Sequence, residues 1–410
     1  MSHPQFSSQD LFKFGLIIFA ILSPFSIAGA QIGLGLAILG WISKFFERKN
    51  FFWKSSFWDK PILIYLGTVS LSIIFSYNVK QSLVSFVDEW LLLVFFLLVN
   101  NLDEQKFSRK LLDIIIFISV IVAFYAIYQH YTGQVFFHHR PMEEYRLPGT
   151  NKFRSLGNFS IPLTYGFYAM VVSLTSFCLA AFESNSKKRN LYYLASLFIL
   201  TGNLFSYTRG TQLVQIFGFI IFFIFSQGKN KRNELILVLS YFIFIYFVDP
   251  DIFLRFKPLV TTKLSEADLR TIVWSTSLRI FLDHPIFGIG FGNFNYFYEK
   301  YLTVKSQIFG HAHNDFLNVA VNAGIFAFLA FLWMWAFCWL NLKRNYQKSV
   351  DQNAKPILLA GLVVVSAYWL ASQFQCFYTD AIDNMILFFI IGTSVAADKY
   401  LDSARTIRKL

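Results

Sequence analysis

LYYLASLFILTGNLFSYTRGTQLVQIFGFIIFFIFS, residues 191–226, is a nearly continuous apolar run that is interrupted only once. The interruption is the polar sequence SYTRGTQ at residues 206–212. Because about 20 apolar residues in a helix cross the hydrocarbon core of a bilayer, this run is long enough for two crossings. We therefore predict two membrane helices, at 191–207 and 211–226, joined by a hairpin of a few residues that carries Arg209.

The rest of the chain has the same character. Of 410 residues, 55% are hydrophobic and only 15% are charged, whereas soluble domains average about 25% charged residues. The apolar blocks predict an all-α polytopic membrane protein, a single integral membrane domain over residues 1–410 with about twelve transmembrane helices. The predicted spans are 11–28, 31–46, 61–76, 83–100, 110–131, 160–182, 191–207, 211–226, 235–248, 316–341, 356–373 and 384–397.

The basic residues indicate how these spans are oriented. The net charge is +12, and most lysines and arginines fall in short connections that lie on one side if the N-terminus is inside. Positive charge in short loops marks the cytoplasmic side, so both termini are predicted to be cytoplasmic. Basic loops of a membrane protein account for the charge better than nucleic acid does, and no nucleic-acid partner is expected.

Two long segments lie on the predicted outer side, at about 132–159 and 249–315. Long loops without helices of their own are usually functional or disordered, and their aromatic, proline and glycine content favours ordered structure. In the larger loop, SEAD at 265–268 resembles a capping box and predicts a helix from about Glu266 to Leu282. Gly288-Ile289-Gly290-Phe291-Gly292 follows it and predicts tight turning rather than a nucleotide site, because no helix begins after it.

Two arginines on this predicted helix are candidate anion ligands. Arg270 shares a face with Trp274, whereas Arg279 is nine residues further on and therefore about 180° around the helix. A continuous helix cannot point both guanidinium groups into one site. Arg279 has Asp283 at i+4 as an ion-pair partner, and Arg270 has Glu266 at i−4, so a purely structural role is an alternative for each.

His311-Ala312-His313-Asn314-Asp315 opens the tenth predicted span. Two histidines and an aspartate could ligate a metal ion or could be structural, but a neutral imidazole also suits general-base chemistry. Asparagines recur every four residues at 314, 318 and 322, which predicts a polar helix face turned toward other helices or a cavity. The three cysteines have no metal-ligand spacing.

Further cations lie in the shorter loop and in the hairpin. Arg146, Lys152 and Arg154 form, together with the sequence HHR at 138–140, a second cationic surface that is a candidate substrate contact. Arg209 has no acidic neighbour in sequence, so it either snorkels at the interface or faces an exogenous anion.

With these motifs in view, the chain resembles the O-antigen ligase and O-antigen polymerase superfamily of bacterial inner-membrane proteins. The resemblance is carried by SYTRG at 206–210, by Arg-x-x-x-Trp at 270–274 with FLDHPIFGIGFGNF at 281–294, and by HAHNDFLN at 311–318 with NAG at 322–324. It implies a metal-independent glycosyltransferase of the polytopic, GT-C-like kind, with no cofactor and with a periplasmic active site.

The resemblance also implies roles for particular residues. Arg209 and Arg270 correspond to arginines that bind the diphosphate of an undecaprenyl-diphosphate-linked glycan donor. His313 corresponds to the base that activates the acceptor hydroxyl, whereas His311 is at a less constant position of the pattern. Additional substrate-binding candidates are Arg279, His311, Asn314, Arg146 and Arg154.

Three functions fit these features. The first is O-antigen ligase, which transfers the glycan to the lipid A–core acceptor with inversion. The second is O-antigen polymerase, which extends the lipid-linked glycan. The third, a lipid-linked glycan transporter, is disfavoured because the strong cations cluster on the outer side instead of lining a path through the membrane.

Overall fold

The computed structural model describes residues 7–48, 53–102, 104–136, 142–228, 230–254, 256, 269–303 and 308–407. Within these ranges the chain is helical, with one isolated bridge between Arg146 and Phe153 and no β-strand. The predicted all-α class is therefore confirmed. The helices are α1 Ser8–Leu22, α2 Ile27–Arg48, α3 Asp59–Ile74, α4 Val79–Phe86, α5 Leu92–Asn101, α6 Gln105–Thr132, α7 Pro162–Ala180, α8 Ser186–Phe205, α9 Arg209–Phe225, α10 Lys231–Val248, α11 Asp251–Leu254, α12 Leu269–Asp283, α13 Phe294–Tyr301, α14 Asp315–Lys348, α15 Ala354–Ala371 and α16 Ala381–Ile407, with short 3-10 helices at Val87–Leu91 and Met142–Tyr145.

We name the end of the bundle that carries Ser8 the inner end, and the end that carries the hairpin between α8 and α9 the outer end. At the inner end, Ser8 of α1 donates a hydrogen bond to Glu47 of α2 (2.6 Å), and Lys13 pairs with Glu104 before α6 (2.8 Å). A helix lies at each of the twelve predicted spans. The number of times that the chain crosses the membrane stays a prediction.

Several of these helices have the length and composition of membrane spans. Among the described residues six stretches qualify, and shorter apolar helices cover Arg209–Phe225 and Ala381–Ala397. The protein is therefore a multi-pass membrane protein. The six stretches are Ile27–Lys44, Val79–Asn101, Gln105–Thr132, Pro162–Ala180, Asp315–Lys348 and Ala354–Ala371.

Helix α7 lies at the centre of the bundle. It is apolar all round, and 94% of its spanning residues are buried, as expected of a helix enclosed by others. Helices α8, α9 and α15 pack around it. A second packing centre lies between α3 and α14, where the Trp58 and Trp335 rings are 5.3 Å apart and Trp58 Nε1 donates to the Met334 carbonyl (2.7 Å).

Two predicted spans are not single regular helices. The span 83–100 consists of α4, a 3-10 turn at Val87–Leu91 and α5. Helix α14 is 34 residues long and is kinked at Gly324, whose φ of 78° and ψ of −175° are not helical. The predicted span at 316–341 is therefore a short outer helix followed by a long one.

The glycine loop, residues 285–293, packs against this kink and completes its hydrogen bonding. The Ile289 and Gly290 amides donate to the Val321 and Asn322 carbonyls (3.0 and 2.8 Å), and the Ile325 amide donates to the Pro285 carbonyl (2.8 Å). Close approach of the two backbones requires glycine, because a Cβ at Gly324 would lie 2.1 Å from the Ile286 carbonyl oxygen. Gly288, Gly290 and Gly292 all have positive φ, which confirms the predicted tight turning. The expectation that no helix begins after this run is wrong, because α13 begins at Phe294.

At the outer end, the carboxylate of Asp249 ties three segments together. It is fully buried and accepts hydrogen bonds from His130 of α6 (2.9 Å), Lys152 of the 132–159 loop (2.8 Å) and Tyr207 of the hairpin (3.0 Å). Burial alone raises the pKa of Asp249, but these hydrogen bonds outweigh it and lower the pKa to about 2. His130 Nδ1 lies 2.6 Å from the Phe153 carbonyl oxygen, so the same ring contacts both Asp249 and the 132–159 loop.

We expect Gly324→Ala to destabilise the protein. A non-glycine residue with a left-handed backbone costs about 1–2 kcal/mol, and the Cβ contact with Ile286 adds to that cost. The thermal unfolding midpoint of the purified protein in detergent should fall by several degrees. The matched control is Gly67→Ala, since a Cβ there meets no atom within 4 Å. Equal midpoints for the two variants would contradict the role assigned to the kink.

Candidate active site

The histidine pair lies immediately before α14 at the outer end. Asn314 is the N-cap of the helix and accepts a hydrogen bond from the Leu317 amide (3.0 Å), which fixes where the helix begins. His313 precedes it with a φ of 50°, a left-handed backbone that costs free energy in a residue with a side chain. Among the described residues, the other non-glycine with positive φ is Tyr207, in the hairpin.

The turn after α15, residues 372–378, positions these residues and is named the 372–378 turn below. The Asp315 amide donates to the Ser372 carbonyl (2.8 Å), and the Tyr378 amide donates to the Asp315 carboxylate (3.1 Å). The Asn314 side-chain amide lies 3.3 Å from Gln373 Oε1. The turn and the first residues of α14 therefore form one hydrogen-bonded unit.

Gln375 in this turn sets the tautomer of His313. His313 Nδ1 is hydrogen-bonded to Gln375 Oε1, and an amide oxygen can only accept. The ring proton is consequently on Nδ1, which leaves the lone pair of Nε2 available to take a proton.

His311 is held in the opposite tautomer. Its Nδ1 accepts the backbone amide of His313 (3.2 Å), so the neutral ring carries its proton on Nε2. Burial, and to a lesser extent the neighbouring His313, lower the pKa of His311 from about 6.5 to about 4. The two ring centroids are 4.4 Å apart. His311 therefore remains neutral and acts as a hydrogen-bond donor at neutral pH.

Arg270 lies in the first turn of α12, close enough to act on His313. Burial lowers the pKa of His313 below its usual 6.5, and the positive charge of Arg270 lowers it further, although the hydrogen bond to Gln375 opposes both. His313 is therefore neutral at pH 7 and next to a cation. The predicted cap of this helix at 265–268 lies outside the described residues.

Arg279 points elsewhere, as the helical spacing predicts. It donates to the Ser275 carbonyl (3.3 Å) and contacts the Thr303 hydroxyl (3.4 Å). The expected pairing partner Asp283 accepts a hydrogen bond from Tyr301 instead (2.7 Å), because α13 folds back toward the end of α12. Its role in substrate binding stays a prediction.

Arg209 opens α9, directly after the hairpin. The hairpin consists of residues 206–208. Gly210, the residue after Arg209, faces the 372–378 turn, because a Cβ added at Gly210 would lie 3.8 Å from Phe374 Cβ. The turn that holds His313 through Gln375 thus also abuts the helix end that carries Arg209. Residues that are 104 positions apart in sequence are brought to one end of the bundle in this way.

The two arginines of the shorter loop have protein partners. Arg154 donates to the Ser206 carbonyl (3.0 Å) and contacts Thr208 Oγ1 (3.4 Å), so it stabilises the hairpin. Arg146 pairs with Glu143 (2.6 Å) and lies over the Phe153 ring. Their predicted substrate contacts remain predictions, and the HHR sequence at 138–140 lies outside the described residues.

The sequence interpretation missed Gln373 and Gln375. The sequence SQFQC at 372–376 ends an apolar span. Glutamines are common at the end of a span, so these two did not indicate a site. A signal was present nonetheless, because polar amides at the membrane surface usually have a partner inside the protein.

Within the part of the chain that the structure describes, no group of three or more His, Cys, Asp or Glu side chains is placed to hold a metal ion.

Comparison with known proteins supports the resemblance noted from the sequence. A family model described as O-antigen ligase matches residues 194–332, which span the hairpin, α12, the glycine loop and the histidine pair. The chain is also 23% identical over 151 residues to teichuronic acid biosynthesis protein TuaE of Bacillus subtilis (strain 168). That similarity covers 37% of this chain and 29% of the relative's length.

We expect the pKa of His313 to respond to Arg270 and Gln375. Diethyl pyrocarbonate modifies neutral imidazoles, so the modification rate of His313, followed by mass spectrometry against pH, should give a midpoint below 6.5. Arg270→Gln and Gln375→Glu should each raise the midpoint, the first by removing a cation and the second by supplying an anion.

Arg279→Gln is the control for this measurement, since Arg279 is held at Ser275 and Thr303. It should leave the His313 midpoint where it is. A wild-type midpoint at or above 6.5, or one that Arg270→Gln does not move, would refute the arrangement described here.

Proposed function

We propose that this protein, whose residues 194–332 match the O-antigen ligase family model, transfers a lipid-linked glycan at its outer end. In its specific form, the proposal is an O-antigen ligase that moves the glycan from an undecaprenyl-diphosphate carrier to the lipid A–core acceptor. The observation that carries the proposal is a neutral His313 with a free Nε2 lone pair beside the cation of Arg270.

The arginines suit the donor. As the glycosidic bond breaks, negative charge gathers on the diphosphate, and a guanidinium binds phosphate through two parallel hydrogen bonds and stays charged at any relevant pH. Arg270 approaches from α12 and Arg209 from the start of α9. The amino terminus of α9 adds the positive end of a helix dipole. Together these groups can stabilise the leaving group without a metal ion.

His313 supplies the proton transfer. Nε2 takes the proton of an acceptor hydroxyl, and the hydroxyl oxygen attacks the anomeric carbon of the donor. The bond from that carbon to the diphosphate oxygen breaks, and the diphosphate leaves with the electron pair. A single displacement of this kind inverts the anomeric configuration. Gln375 would hold the ring in the required tautomer, and Asn314 and His311 are placed to orient the acceptor.

The apolar surface of the bundle suits the lipid part of the substrates. Helix α10 exposes large apolar side chains along its length, including Phe247 at 78% exposure, and such a surface suits contact with lipid. We place the outer end, with the loops 132–159 and 249–315, in the periplasm of a bacterial inner membrane and both termini in the cytoplasm. The cations in the short inner connections support this orientation.

Lipopolysaccharide analysis separates the ligase from the polymerase. The relative is named for teichuronic acid biosynthesis, so the comparisons leave the acceptor open. We expect a deletion strain to show bare core on a gel, because a ligase attaches every glycan chain. Core capped by single repeat units would identify a polymerase instead, and a normal ladder would refute both assignments.

We expect Arg209→Ala, Arg270→Ala and His313→Ala each to lower kcat/KM about 10²–10³-fold or more, the effect of removing one group that stabilises charge or moves a proton in a transition state. The assay uses purified protein, lipid-linked donor and acceptor, with EDTA present. Arg232→Ala, exposed at the inner end, is the matched control and should keep full activity. Full activity of His313→Ala would remove the proposed base, and loss of wild-type activity in EDTA would refute the metal-free mechanism.

A further inference from the structure

A cavity of about 280 Å³ opens beside His311, on the side of the histidine pair that faces the glycine loop and α4. One wall is formed by Ser85, Asp88 and Glu89, and the glycine loop contributes Phe291 and Gly292. The kinked helix α14 and the start of α16 form the remaining walls. The cavity therefore lies directly against the proposed catalytic centre without being needed for the steps above.

The wall that carries Glu89 is rigid. The two carboxylate oxygens accept hydrogen bonds from Tyr65 (3.0 Å) and Tyr378 (2.6 Å), which leaves further lone pairs on both oxygens. Ser82 donates to the Phe291 carbonyl (2.9 Å) and so anchors the glycine loop to α4. Because these contacts come from separate helices, the cavity is preformed.

Two buried asparagines in the cavity wall have side-chain oxygens without a hydrogen-bond donor within the described part of the chain. The Oδ1 atoms of Asn322 and Asn384 accept no hydrogen bond from any described residue, and both side chains are only 3% exposed. An unsatisfied buried acceptor costs about 1–3 kcal/mol. Such groups are retained where a ligand or an ordered water supplies the missing donor.

The lining of this cavity differs in chemistry from the proposed diphosphate site. It includes the carboxyl groups of Asp88 and Glu89 and, among the described residues, no lysine or arginine. An anionic group therefore finds no cation here, whereas Arg270 and Arg209 can bind one. A neutral ligand rich in hydroxyl donors suits carboxylate and amide acceptors, and the Phe291, Phe294 and Tyr378 rings can pack against its apolar face.

We propose that this cavity binds the terminal sugar of the acceptor and delivers one of its hydroxyls to the histidine pair. The inference rests on the proposed function. With a volume of about 280 Å³, the cavity can admit one monosaccharide unit. Glu89 accepts hydrogen bonds from the sugar, and His311 donates one from Nε2. The donor diphosphate lies on the other side of His313, so the two substrates meet at its Nε2.

Glu89→Gln tests the proposal in the transfer assay, since it keeps the shape of the side chain and replaces one acceptor oxygen with a donor. The sugar loses its hydrogen bond to that oxygen, so the KM for lipid A–core should rise about tenfold while the KM for the lipid-linked donor stays unchanged. Thr379→Trp, at the exposed mouth of the cavity, should do the same by filling it. Glu299→Gln, an exposed outer glutamate, is the control.

The outcomes separate this inference from the proposed function. If the wild type transfers the glycan and the acceptor KM is unchanged in both Glu89→Gln and Thr379→Trp, the acceptor site is overturned and the proposed function stands. If the wild type transfers nothing, the function fails, and saturation-transfer NMR with delipidated core oligosaccharide then decides the cavity. A wild-type signal that Thr379→Trp abolishes supports a sugar site, whereas no wild-type signal, or one that survives the substitution, refutes it.

Discussion

Near a bilayer, every backbone group that leaves regular helix must find its hydrogen-bond partner inside the protein, and the outer end of this molecule depends on that constraint. Helix α14 breaks at Gly324, and the glycine loop supplies the missing partners at Val321, Asn322 and Ile325. The start of the same helix is bonded to the 372–378 turn through Asp315. Irregular backbone is thus tolerated where it is paired, and that is where His313 lies.

The hydrogen bonding between the 372–378 turn and the start of α14 determines the tautomer of His313. Since the 372–378 turn is fixed to α14, Gln375 is fixed relative to His313, and a tautomer with a free Nε2 results. Burial lowers the pKa of His313, and the positive charge of Arg270 lowers it further, so this nitrogen stays unprotonated at neutral pH. On the far side of His311, the carboxylate of Glu89 is held by two tyrosines. The histidine pair therefore lies beside both Arg270 and a cavity lined by carboxyl and amide oxygens, an arrangement that we propose to suit one anionic and one hydroxyl-bearing substrate.

The shorter outer loop contributes to the site through support. Lys152 donates to Asp249, and Arg154 donates to the Ser206 carbonyl and contacts the Thr208 hydroxyl, whereas the predicted substrate contacts of this loop stay predictions. Asp249 stays ionised because three donors converge on it, and it holds the hairpin next to α6. Sequence alone cannot distinguish a cation that meets a ligand from one that meets a buried carboxylate 97 residues away.

The sequence by itself determined the all-α membrane class, a helix at each of the twelve spans, the hairpin at Arg209 and the opposite directions of Arg270 and Arg279. Each of these follows from local rules, namely apolar length and helical periodicity, which need no knowledge of distant residues. Tertiary structure alone decided the kink at Gly324, the partners of Asp283 and Arg154, the tautomer of His313 and the cavity at Glu89. These depend on contacts such as Glu89 with Tyr378 and His313 with Gln375, which join residues 289 and 62 positions apart. Hydrogen bonds over such separations arise only when helices pack, so no local pattern encodes them.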